Sequence, residues 1–126
     1  MSGPNPTLTK NFTAETAVTR YRIVKFGSSD GQVVQAAAAT DAMVGVAAEL
    51  DAAGGERVDV HLAGLAEVEF GGTVTRGALV TADSQGRAVA AAPAAGVNNR
   101  VIGVAMVSAA SGDIASVLIA PQQIQG

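Results

Sequence analysis

The chain has 126 residues, a net charge of −3, no cysteine, one histidine, and as aromatics only Phe12, Tyr21, Phe26 and Phe70. That length suits one domain, or two small halves sharing a core, and the composition rules out disulfides and thiolate metal sites. The negative balance disfavours nucleic acid, and the scarcity of rings disfavours sites that stack bases or sugars.

The opening "MSGPNPTLTKNFTAETAV" carries two prolines, many threonines and no strong periodicity. It reads as an extended arm over residues 1–18, able to add a strand to a neighbour's sheet edge or to fray without a task. It has no apolar signal-peptide core, and no run in the chain is long enough for a membrane helix, so a soluble intracellular product is expected. Residues 1–27 hold Lys10, Arg20, Arg22 and Lys25 against Glu15 alone. This basic lead on an acidic body is either a partner-facing element or a scatter of solvated charges.

From Tyr21 onward short β-type runs follow one another at 21–26, 32–36, 43–50, 57–63, 65–70, 78–82, 87–91, 100–107 and 114–120. Gly, Asp and Ser turns separate them, which is the pattern of a barrel or sandwich. In "RVDVHL", Val58, Val60 and Leu62 share one face, and Asp59 and His61 share the other. In "LAEVEF", Glu67 and Glu69 lie opposite Val68 and Phe70. The alanine tracts at 35–42 and 88–96 are connections, the first with room for one helical turn near Thr40 and Asp41.

"VGVA" at 44–47 returns as "IGVA" at 102–105. Around it Ile23-Val24 falls on Leu79-Val80, Gly31 on Gly86, Glu56 on Asp113, Val60 on Val117 and Leu62 on Ile119. An ordered series with matching turn chemistry points to an internal duplication. A glycine inside a strand marks a bulge or a close backbone crossing, the structural role expected of Gly45 and Gly103. The expected fold is mainly β: a small pseudo-symmetric β-barrel or sandwich of about ten short strands with an extended N-terminal arm. Residues 19–126 form a single β domain built from two related halves, 20–64 and 76–121.

Catalytic chemistry finds no constellation. His61, the only histidine, lies on the polar face of its strand, and no serine has a "GxSxG" context. The acids Glu49, Asp51, Glu56 and Asp59 flank one turn without calcium-loop spacing. Glu67 and Glu69 lack rings to grip a sugar, and no glycine turn is followed by a phosphate-binding lysine. No catalytic, metal or cofactor residue is assigned.

The arm "NPTLTKNFTAETAV", the "DGQV" turn, the connection "AAAATDAMVGVA" and the closing "RVIGVAMVSAASGDIASVLI" together resemble the capsid cement, or head decoration, proteins of tailed bacteriophages. The resemblance spans nearly the whole chain and rests on order rather than on an invariant signature. It implies a small β-rich protein without enzymatic activity, on the capsid exterior of the virion and made in the bacterial host cytoplasm. It implies a homotrimer at three-fold and quasi-three-fold positions, binding the major capsid protein after the shell expands and resisting internal DNA pressure. Neither nucleic acid nor membrane is a partner. Thr7, Leu8, Thr9, Lys10, Asn11 and Phe12 then become the capsid-binding arm. Two other classes stay open: another trimeric virion component of the tail or spike, and a small β-barrel ligand-binding module with His61 or Glu67 and Glu69 buried.

Overall fold

The computed structural model describes residues 4–126, so residues 1–3 of the expected arm lie outside it. Among the described residues there are nine strands and no helix: β1 (Asn5–Ala14), β2 (Ile23–Phe26), β3 (Gln32–Gln35), β4 (Met43–Ala47), β5 (Arg57–Glu69), β6 (Leu79–Ala82), β7 (Ala88–Ala90), β8 (Asn98–Ala105) and β9 (Ile114–Gln125). They make one sheet in the order β1-β3-β2-β4-β5-β9-β8-β6-β7, which as a whole is not a closed barrel. β1 also pairs with β5, so the first five strands return on themselves as a ring.

Two expectations change. The runs 57–63 and 65–70 are one strand, because Gly64 at φ +87° lets β5 bend without ending. The stretch near Thr40 and Asp41 is a turn, not helix. There the Asp41 carboxylate accepts from the backbone N–H of Ala37 and Ala38, a local bond that competes with helix.

The arm is also placed differently from a free extension. Residues 5–13 pair antiparallel with β5, and Thr13 and Ala14 pair parallel with β3. The cause is apolar: Phe12, Ala14 and Val18 are buried with Val24, Val33, Ala47, Val58 and Val60 inside the first ring. A segment that turns Phe12, Ala14 and Val18 inward gains more by covering that core than by standing in water.

The pairing pattern of β1–β5 recurs. Where β1 meets β3 in parallel, the end of β5 meets β7 in parallel through Phe70 and Ala88. The antiparallel order β3-β2-β4-β5 is repeated as β7-β6-β8-β9. Individual bonds recur at offsets of 55 (Gly31 to Gly86) to 58 (Gly45 to Gly103) residues. Ala14 N donates to Glu56 O and Phe70 N to Asp113 O, at 2.8 and 2.7 Å. Tyr21 N donates to Ala47 O, and Gly77 N to Ala105 O. Tyr21 holds a left-handed φ of 62°, costly for a side-chain-bearing residue, where its counterpart is Gly77 at 92°.

A second buried cluster fills the space inside β5–β9 with Val68, Phe70, Val74, Val80 and Val117. It also takes in Ile23, Ala36, Met43 and Val46 from the outer side of the first ring, so this one cluster joins the halves.

Candidate surface for assembly

β1 is held by side chains as well as by its ladder. Its outward residues meet the polar face of β5 in three steps. Thr9 Oγ1 and His61 Nδ1 share a hydrogen bond of 2.9 Å. Asn11 Nδ2 donates to Asp59 Oδ1 at 2.9 Å. Arg57 donates through Nε to Asn11 Oδ1 and through Nη1 to Thr13 Oγ1. Opposite-strand pairs of this kind fix register.

The six arm residues therefore do not share one surface. Phe12 is turned into the core, and Lys10 lies over its ring with Nζ 5.6 Å from the centroid. Leu8 is 53% exposed, and Thr7 sits unpaired in a bulge between Pro6 and Leu8. Thr7, Thr9 and Asn11 are exposed. On the edge away from β5, β3 reaches only Thr13 and Ala14, and no other strand pairs with residues 5–12 among the described residues. An edge of this kind is a template for another extended chain.

His61 departs from expectation. Its strand parity is as expected, but it is buried, because Thr9 of β1 and Val46 of β4 flank it on both sides. Burial lowers its pKa below the ordinary 6.5, against the raising influence of the Glu49 and Asp59 carboxylates. The folded protein thus disfavours protonated His61, while the unfolded chain takes up the proton at the ordinary value. Stability from this site is complete above pH 6.5 and falls as the pH drops below it. The melting temperature is expected to fall more between about pH 7.5 and 5.5 for the native chain than for His61→Leu. Equal slopes in the two proteins would remove His61 as the cause. Glu15 acts lower on the scale: the Ser28 backbone N–H and hydroxyl lower its pKa, so its contribution is lost only in acid.

The remaining candidates are engaged structurally. Asp51 accepts from Arg20 N and Glu56 from Ala53 N, so these two acids are engaged by backbone. No His/Cys/Asp/Glu group suited to a metal occurs among the described residues. Glu67 and Glu69 are half-buried, and Glu69 pairs with Arg22 at 3.2 Å. Lys25 pairs with Asp41, so two of the four leading cations are satisfied within the chain. Two shallow clefts exist. One of about 250 Å³ is lined by Met43, Arg100, Val101 and Pro121–Gln123. The other, of about 110 Å³, lies beside β1 between Asn11, Leu50, Arg57 and Asp59. Neither contains His61 or the two glutamates.

Gly45 and Gly103 occupy matching crossings. A Cβ on Gly45 would overlap the His61 carbonyl and come within 2.8 Å of Val60 Cγ1. One on Gly103 would overlap the Leu118 carbonyl. Exposed Leu50, Phe26 and Leu118 are surface features that strand patterning alone did not single out. For Phe26 and Leu118, whose counterparts Ala82 and His61 are buried, comparison of the two halves is the signal that finds them.

The family model described as phage cement protein matches residues 2–120. No curated protein matches the chain. Among solved structures, the chain is similar to the crystal structure of the N base of head fiber gp8.5 in bacteriophage phi29. The TM-score is 0.68 at 22% identity, over 90% of this chain and 93% of that one, a likeness of fold.

Proposed function

The chain belongs to the phage cement protein family, and so to the structural proteins of a phage capsid; from that premise we propose that it decorates and stabilises the exterior of a mature head. It does so without catalysis or cofactor, binding the major capsid protein as a trimer. We further infer that residues 20–64 and 76–121 descend from one duplicated unit. The observation that carries the docking role is the unpaired outer edge of β1 over residues 5–12, with Thr7, Thr9 and Asn11 exposed beside it.

An extended segment of the shell protein adding to this edge gains main-chain hydrogen bonds. Each is worth about 1 kcal/mol net, so one such contact is weak. Three copies held together convert it into firm attachment through effective concentration. Phe12 supports the edge from inside and does not itself touch the shell, since it is buried. Leu50 and the small cleft beside Asn11 lie next to the edge and widen the surface on offer.

Co-sedimentation with mature, expanded shells from the same genome tests this. Full-length protein is expected to pellet near stoichiometric occupancy. A chain lacking residues 1–7 keeps Phe12 and Ala14, and therefore its fold. It is expected to pellet at least tenfold less at limiting concentration, the cost of about 1.4 kcal/mol of lost edge contact. If both stay in solution, decoration is wrong. If both pellet equally, decoration stands and residues 5–7 of the β1 edge are not the anchor.

A further inference from the structure

Comparing each position with its counterpart in the other half shows two surfaces that are buried once and exposed once. Across the first half, Ile23, Val46, His61 and Thr9 form one cross-strand row. Across the second, Leu79, Val104, Leu118 and Leu65 form the corresponding row. In the first row Ile23 and Val46 are fully buried, because the second half packs against them. In the second row none is fully buried: Leu79, Val104 and Leu65 are half-buried, and Leu118 is 40% exposed.

The surface that covers the first row has a counterpart too. It is the end of the second half, where Ala82, Ile102 and Ile119 share a buried cluster with Ile23, Met43 and Val46. The matching end of the first half presents Phe26, Val44 and Leu62. Phe26 is 59% exposed, and Val44 and Leu62 are half-buried, resting on the first cluster. One chain thus carries an unfilled copy of each side of a contact that it already makes once. At one matched position the unfilled side carries much the larger residue: Phe26 stands where the closed end has Ala82.

We propose that in solution the Leu79–Val104–Leu118 face of one copy seats on the Phe26–Val44–Leu62 end of the next. This repeats between chains the contact that joins the two halves within one. Such a head-to-tail contact joins unlike faces, and successive copies close into a ring when the rotation permits. The polar frame has a template as well. Within the chain Ile23 N donates to Gly86 O at 2.8 Å, and Arg22 Nη1 donates to Gln85 O at 2.8 Å. The corresponding neighbours between chains are Leu79 with Gly31, and Ala78 with Asp30. Ala78 cannot reproduce the bond made by Arg22, so the contact between copies relies on apolar burial and is the weaker of the two.

The inference rests on the trimeric part of the function proposed above and not on shell attachment, so its test uses shell-free, full-length protein. The native chain has no cysteine. Asp30→Cys and Ala78→Cys chains are prepared separately, then mixed and treated with a short bismaleimide. The mixture is expected to give a cross-linked pair at least tenfold more abundant than either variant alone, because only unlike faces meet. Leu118→Arg, an exposed change, is expected to keep a cooperative melting transition while the mass in solution falls to that of a single chain. Cross-linking of one variant with itself, an unmodified mixture, or an unchanged mass for Leu118→Arg would each overturn the proposal. All of these results are read without shells, so their failure is distinguishable from a failure to pellet with shells.

Discussion

A chain reduced to residues 19–126 is expected not to fold. The cut follows the boundary that the sequence marks as the end of an arm, yet it removes Phe12, Ala14 and Val18 from the first buried cluster. It also strips β5 of its partner over residues 57–65 and leaves Arg57, Asp59 and His61 without Thr13, Asn11 and Thr9. Losing the Phe12 side chain alone costs about 3–5 kcal/mol, against a whole-domain stability on the order of 5–15 kcal/mol. Far-ultraviolet circular dichroism and a thermal scan check it. Phe12→Ala is expected to melt cooperatively at a lower temperature, and the truncated chain to show no cooperative transition. A truncated chain melting like the native one would make β1 an accessory that the ring does not need.

Gly103→Val is expected to be the most damaging single change on the second half. No left-handed backbone is involved. The strand β8 passes so close over β9 that a Cβ meets the Leu118 carbonyl and approaches Ala120 N within 3.1 Å. The obstacle is backbone, which cannot rotate aside as a side chain can. The strands must separate, with loss of the ladder that runs from Gly103–Ile119 to Ala105–Val117. The expected cost is about 3 kcal/mol, at the upper end for overpacking. Urea unfolding measures it as a lower midpoint at unchanged slope. Gly45→Val, at the matching crossing, is expected to follow in the same direction. A midpoint within error of the native protein would mean that the crossing is looser than the geometry requires.

Much of this architecture could be read from residue order because turns and alternation are local. Gly31, Gly55, Gly86 and Gly112 stand at left-handed φ between strands, and Val58 and Val60 alternate inward as their spacing implies. The arm was legible only in part. Leu8, Lys10, Phe12 and Ala14 share a side, but only Phe12 and Ala14 are apolar and buried, too short a signal for a core strand. What makes β1 part of the body is a partner about fifty residues away, and sequence spacing carries no trace of it. His61 fails for the same reason. Parity put it beside Asp59, but its burial depends on Thr9 and Val46 across two strand boundaries. The merging of two runs into β5 hinged on Gly64, whose conformational freedom allows either a turn or a bent strand.

The exposed apolar residues show where local reasoning stops and comparison of the halves begins. Phe26 in isolation is an ordinary surface ring. Set against buried Ala82, it marks an end that one half has filled and the other has not. A small capsid protein with few large side chains has little apolar surface to leave in water, and such residues are well used where copies meet.

The central claim is that this chain stands on the outside of an expanded head. Electron cryo-microscopy of mature shells incubated with the full-length protein tests it most directly. The account predicts added density on the outer surface, in groups of three copies, with the outer edge of β1 against the shell. Bare shells, or density confined to the tail, would contradict it.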